Sequence, residues 1–135
     1  MNQTFEDYLA EVARKTIQEG GSASKPSSCT FLPILDQWCF PKYPARTSIL
    51  PATIDLVEEL RTFISKNEAY LNEEDCWLGT WLNPQTGEYY LDVSTGIENQ
   101  ETAILAATHA GEIEGRNVVA LFNPKQNKTI FLKPD

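Results

Sequence analysis

Cys76-Trp77-Leu78-Gly79-Thr80-Trp81-Leu82-Asn83-Pro84-Gln85-Thr86-Gly87-Glu88-Tyr89-Tyr90-Leu91-Asp92-Val93 is the stretch whose reading decides the fold. Residues 76–82 and 88–93 are rich in aromatic and β-branched side chains, which fit a pleated, half-buried surface. Between them, Asn83 and Pro84 at the first two turn positions and Gly87 further on suit a type I turn closed by a left-handed residue. The stretch therefore predicts a β-hairpin. Even spacing puts Trp77 and Trp81 on one face of its first strand, with a shallow slot at Gly79 between the indoles. In its second strand Asp92 alternates with Leu91 and Val93, and is expected on the wet side beside Tyr90.

Working outward toward the C-terminus, Val118–Phe122 and Thr129–Lys133 read as a second pair of strands. They flank Asn123-Pro124-Lys125-Gln126-Asn127, which repeats the chemistry of the first turn, with Asn127 where the first loop has Gly87. Residues 99–114 lie between the hairpins and read as a helix, with Asn99 as cap and Gly115 as stop; Gly111 is an earlier alternative end. The C-terminal half is thus expected to be ββαββ. The fold class is α+β: an antiparallel sheet of about four strands from two hairpins, with helices packed on one face.

The run from Leu78 to Ser94 resembles a small module of uncharacterised bacterial, plasmid- and phage-associated proteins, with the pattern G-x-W-x-x-P-x-T-G-x-x-Y-x-D-h-S. In that module an Ala- and Leu-rich helix and a short Val/Ile-Phe strand follow the hairpin, and Gln100–Phe122 fits this continuation. The resemblance covers about residues 77–124 and implies hairpin, helix, hairpin. It carries no known activity.

Upstream, Phe5, Tyr8, Leu9, Val12, Ala13 and Ile17 follow helical spacing, so residues 4–19 predict an amphipathic helix, stopped by Gly20-Gly21. Residues 20–28 (Gly-Gly-Ser-Ala-Ser-Lys-Pro-Ser-Ser) hold nothing that packs a core and read as a flexible linker, from which the first helix can dock elsewhere. Residues 29–52 hold Pro33, Pro41, Pro44 and Pro51 among aromatics, which predicts an extended arm with at most a short edge strand near Phe31–Leu35. Residues 53–71 predict a second helix, with Val57, Leu60, Ile64 and Leu71 on one face. One domain, residues 1–135, is expected: helix 1–19, linker 20–28, arm 29–52 and an αββαββ core at 53–135.

The chain carries 19 acids against 11 Lys and Arg, a formal charge of −8, which disfavours holding a phosphate backbone by bulk charge. Seven acids (Asp55, Glu58, Glu59, Glu68, Glu73, Glu74, Asp75) stand against Arg61 and Lys66 in residues 53–76, a local charge of −5. No apolar run approaches the ~18 residues of a membrane helix. The polar, acidic Met1–Asp7 does not resemble a signal peptide, so a cytoplasmic protein is expected. Three cysteines (Cys29, Cys39, Cys76) without C-x-x-C spacing read as free thiols there, with a Cys29–Cys39 bridge as the alternative.

Catalytic chemistry is poorly signalled. His109 is the single histidine, with no local partner, and reads as an ordinary surface or half-buried residue. Glu73-Glu74-Asp75 lacks the spacing of a calcium loop, and no glycine motif cradles phosphate. No catalytic, cofactor or metal residue is assigned, and no cofactor is expected. Trp77, Trp81, Tyr90 and Asp92 form a candidate ligand platform. Trp38, Phe40, Lys42, Tyr43 and Arg46 form a candidate interaction surface, because Trp, Tyr and Arg dominate interface energies. The expected function is a small non-enzymatic protein-protein interaction module, with a protein partner or self-association. The alternatives are a small ligand-binding or enzymatic domain near Trp77, Trp81 and Asp92, and an acidic mimic of nucleic acid.

Overall fold

The computed structural model describes residues 3–132. Among them the order of elements is α1 (Gln3–Glu19), β1 (Gly21–Lys25), β2 (Thr30–Phe31), β3 (Trp38–Pro41), a 3-10 turn (Pro44–Arg46), β4 (Ser48–Leu50), α2 (Leu56–Lys66), α3 (Glu68–Leu71), β5 (Trp77–Leu82), β6 (Tyr89–Ile97), α4 (Gln100–Glu114), β7 (Ala120–Asn123) and β8 (Lys128–Phe131).

The two C-terminal hairpins form where the turn chemistry places them. Gly87 has φ +75° and Asn127 φ +53°, the left-handed residues each loop needs. Asn83 Oδ1 accepts from the Gln85 N–H at 2.9 Å, and Asn123 Oδ1 from the Gln126 N–H at 3.0 Å, so both asparagines pin their turns. In α4, Asn99 Oδ1 accepts from the Thr102 N–H and Gly115 closes the helix at φ +71°. The expected last strand reached Lys133, which lies outside the described residues.

The sheet is not the four-stranded one expected. Eight antiparallel strands run in the order β2-β1-β5-β6-β3-β7-β8, and β4 also pairs with β6. The two hairpins are not neighbours, because β3 lies between β6 and β7, with Trp38 opposite Ile97 and Cys39 opposite Phe122. The extra strands come from the two segments read as linker and arm. Residues 21–25 form β1, which lies alongside β5 with Gly21 opposite Trp81. The arm supplies β2, β3 and β4, both β3 and β4 bordering β6 along different halves of its length. Its prolines permit this because they sit at strand ends: Pro41 closes β3, Pro44 opens the 3-10 turn, Pro51 follows β4 and Pro33 lies between β2 and β3. The serines of β1 satisfy their hydroxyls inside the molecule. Ser24 Oγ lies 2.7 Å from Tyr8 Oη, and Ser22 Oγ lies 2.6 Å from Thr80 Oγ1.

The second helix is shorter than residues 53–71. Asp55 caps α2 by accepting from the Glu58 N–H, and Asn67 interrupts the run before α3. Most of the apolar stripe of α1 is buried on its own domain: Leu9 and Val12 are fully buried among Leu60, Leu71, Leu78 and Leu91, whereas Ile17 at the end of the stripe is exposed. Burying each such aliphatic side chain contributes about 1.5–3 kcal/mol, so this helix is anchored in the fold. A fork from Arg61 to Glu6, with N–O distances of 2.6 and 2.7 Å, ties α2 to α1. A second cluster joins α4 to the other half of the sheet, through Ala103 and Ala107 against Trp38, Phe40 and Leu121.

Strand alternation puts the side chains of both clusters on the same sheet face: Leu78, Leu91 and Val93 in one, Phe40 and Leu121 in the other. The opposite face is concave. The rings of Trp81 in β5 and Phe131 in β8 lie 6.0 Å apart, although β6, β3 and β7 separate their strands. On a flat sheet four strand spacings would hold them about 19 Å apart, so the sheet curls around this face.

Candidate functional site

The concave face carries Trp81, Tyr90, Asp92 and Pro41 from the sheet, with Ile49 from β4 opposite Tyr90. The chain leaving α4 also lines this face, from Arg116 to Ala120 at the start of β7, with Val118 itself buried in the cluster beneath α4. A cavity of about 40 Å³ remains between them. At ~10–15 Å³ per water it has room for about three. A small terminal group fits in it; a nucleotide does not.

Three of the four platform residues, Trp81, Tyr90 and Asp92, meet at this cavity. Trp81 and Tyr90 stack edge to face with centroids 5.3 Å apart. Trp77 shares their sheet face but lies opposite Ser94, further along the strand, and does not line the cavity. The slot expected at Gly79 is filled: a Cβ there would collide with Ser94 Oγ, so the glycine serves close approach of the β6 side chain.

Asp92 is half-buried rather than solvent-facing, because the curl of the sheet and the residues 116–120 that line the cavity enclose what would be the wet side of an isolated hairpin. Its Oδ1 accepts a 2.6 Å bond from Thr47 Oγ1. Thr47 is in turn fixed from the other side, since Arg116 Nη1 donates to its carbonyl at 2.7 Å. Among the described residues, no ion pair within 4.0 Å includes Asp92. Desolvation raises its pKa to about 6, against the opposing pull of the Thr47 bond and the Arg116 charge. Three partly exposed apolar side chains surround this floor. Ile49 and Val119 line the cavity, exposed to 37% and 36%, and Phe131, also at 37%, leans on Trp81.

The candidate interaction surface is placed differently. Trp38 and Phe40 are buried in β3 against α4. Lys42 Nζ lies 3.0 Å from both Glu73 Oε1 and Asp75 Oδ1, and Tyr43 Oη donates to Glu73 at 2.7 Å. Arg46 is exposed, but its guanidinium lies 3.8 Å over the Tyr70 ring and donates to Asn67 Oδ1. Arg46 borders an open groove of about 480 Å³ that also touches Lys66, Glu59 and Glu114. Glu114 there accepts from the Ala45 N–H at 2.8 Å.

Glu73, Asp75 and Cys76 bring three potential metal ligands within 4.8 Å of one another. The Lys42 ammonium already bridges the two carboxylates; the Tyr43 hydroxyl and then Lys42 hold Glu73 below the usual carboxylate range, and Lys42 does the same for Asp75. The Cys76 thiol is pushed up to about 12, first by burial and then by the Asp75 charge, which disfavours the thiolate a metal requires. Cys39 is likewise raised to about 12 by burial, and all three cysteines are free thiols. His109 is exposed on α4.

Thr47, Ile49, Arg116 and Val119 were missed as site residues in sequence. Thr47 and Ile49 lie in the arm, 29–52, read as irregular, and Arg116 lies in a connection between elements. Only the curl brings them to Asp92. No protein-family model matches the chain, and no curated protein or solved structure matches it.

Proposed function

We propose that this protein is a small non-enzymatic binding module whose ligand site is the cavity on the concave sheet face, floored by Asp92. One observation carries this: a carboxyl group without an ion-pair partner is held in a cavity walled by Trp81 and Tyr90 and rimmed by Ile49 and Val119. Such an arrangement costs stability, and costs of this kind concentrate at functional sites. The apolar rim offers contact area to a partner, and the polar floor offers discrimination.

The other expectations find less support. Tyr8, Leu9, Val12 and Ala13 of the α1 stripe are committed to its own core, which leaves Ile17 alone of the stripe well exposed to a partner groove. The acidic 53–76 segment is partly neutralised, with Glu58 on Arg61 and Glu73 and Asp75 on Lys42, which weakens the likeness to a run of phosphates. The 2.6 Å Thr47–Asp92 bond favours a second reading, in which Asp92 acts as a general base on a hydroxyl; a carboxyl with pKa near 6 suits that role.

The test is a small-fragment screen read by chemical-shift mapping on uniformly labelled protein. Shifts clustering on Trp81, Tyr90 and Asp92 are expected. Clustering in the groove beside Arg46 and Lys66 instead would sink the assignment of the site. Turnover of a bound ester or amide, lost in Thr47→Val, would move the protein to the enzymatic reading.

A further inference from the structure

We propose that the occupant of the Asp92 cavity is the ammonium end of a lysine side chain presented by a protein partner, an inference that presupposes the pocket proposed above. The sign of the ligand follows from the floor. Asp92 and Arg116 are the charged residues lining the cavity, with Tyr90 and Thr47 as its hydroxyl groups. Arg116 makes no ion pair with Asp92; its Nη1 is engaged by the Thr47 carbonyl instead. The carboxylate is therefore under-compensated, and a cation entering the cavity replaces the solvation that folding removed. An anion would meet the Asp92 carboxylate in the same cavity, opposed only by Arg116, whose Nη1 is already engaged by the Thr47 carbonyl.

The shape of the ligand follows from the size and the walls. About 40 Å³ suits a compact ammonium. Asp92 Oδ1 is already engaged by Thr47, so one carboxylate oxygen is left wholly free, which suits a point charge better than a two-pronged guanidinium. Trp81 and Tyr90 wall the cavity, and an ammonium close to such rings gains a further attraction. Ile49 and Val119 at the rim match an alkyl stem.

The source follows from what lies outside the cavity. The exposed apolar edge of Ile49, Val119 and Phe131 extends beyond what a free short amine covers. The formal charge of −8 attracts a basic partner as a whole.

The experiment titrates the full chain with n-butylammonium, n-butanol, butyrate and a blocked Gly-Ser-Lys-Ser-Gly peptide. The readout is the Trp81 indole N–H resonance, assigned with Trp81→Phe. Butylammonium is expected to bind at least about tenfold more tightly than butanol, as one charge-assisted hydrogen bond implies. Butyrate is expected not to bind, and the lysine peptide to bind more tightly than butylammonium. Asp92→Asn, checked for folding by circular dichroism, is expected to remove the preference for butylammonium over butanol. In the unmodified protein that preference should fade as pH falls through about 6, where Asp92 protonates while the amine keeps its charge. Equal binding of butanol and butylammonium overturns the cation but leaves the pocket standing. Preference for butyrate assigns recognition to Arg116 and overturns the proposal. A lysine peptide no tighter than butylammonium overturns the protein source. If none of the probes moves Trp81, the pocket itself fails.

Discussion

Asp92 shows how one residue changes character between sequence and fold. Alternation puts it on the face opposite Leu91 and Val93, and there it stands. The face is a cavity floor rather than open water, so its carboxyl group titrates near 6 instead of in the ordinary range. The folded state binds this proton more tightly than the unfolded chain does. Stability from this group is therefore fully present below the ordinary carboxylate pKa and is lost as pH rises through about 6. Asp92→Asn keeps an acceptor for Thr47 and removes the charge. It is expected to raise stability at pH 7.5 by about 1–3 kcal/mol, with the gain disappearing below pH 4. Urea denaturation at the two pH values measures this; equal gains at both would show that burial of the charge is not the cause.

At the scale of elements, β1 is the instructive case. Gly-Ser-Ala-Ser-Lys has no apolar periodicity, and composition alone assigns it to a linker. It is a strand because β5 offers an unpaired edge and α1 offers matching hydroxyls. Thr16 Oγ1 donates to the Val12 carbonyl and lies 2.6 Å from Thr80 Oγ1, which in turn lies 2.6 Å from Ser22 Oγ. Each hydroxyl has one proton, so Thr80 donates to Thr16 and Ser22 donates to Thr80. This chain lets a polar strand take a half-buried position with its groups satisfied. Amide hydrogen exchange is expected to be as slow across Ser22–Ser24 as across β5. Exchange at the rate of an open chain would mean that β1 does not belong to the sheet.

The same contrast runs through the other elements. The two hairpins, read at 76–93 and 118–133, and helices α1 and α4 were legible because their signals are local: turn asparagines, positive-φ residues, caps and periodic apolar faces; that β6 runs on to Ile97, where it pairs with β3, was not. Strands β3 and β4 were not, because four prolines within 29–51 look prohibitive until each is seen to fall at an end. Trp81, Tyr90 and Asp92 could be nominated as a site from one hairpin, whereas Thr47, Ile49 and Arg116 come from segments without regular pattern.

For the whole molecule, charge and curvature act together. The fork between Arg61 and Glu6 and the Lys42 cluster are exposed surface pairs that contribute little, while a formal charge of −8 repels itself throughout. Raising the salt concentration from about 0.01 M to about 0.3 M screens both, and the repulsion is the larger. The Tm is therefore expected to rise with salt, by scanning calorimetry; a fall would mean that the ion pairs outweigh the net charge. The curl that brings Trp81 to Phe131 also forms the cavity, so binding and global shape are linked in this fold.

The sequence by itself determined the α+β composition, two hairpins with their turns, the two long helices, and Asp92 beside Trp81 and Tyr90 on one sheet face. All of these depend on interactions within a few residues or across one tight turn. Only the tertiary structure decided that residues 21–25 and 38–50 join the sheet, that β3 separates the hairpins, and that the sheet curls until it and residues 116–120 enclose Asp92. Strand neighbours far apart in the chain are chosen by backbone hydrogen bonding and shared burial, which leave little mark on local composition.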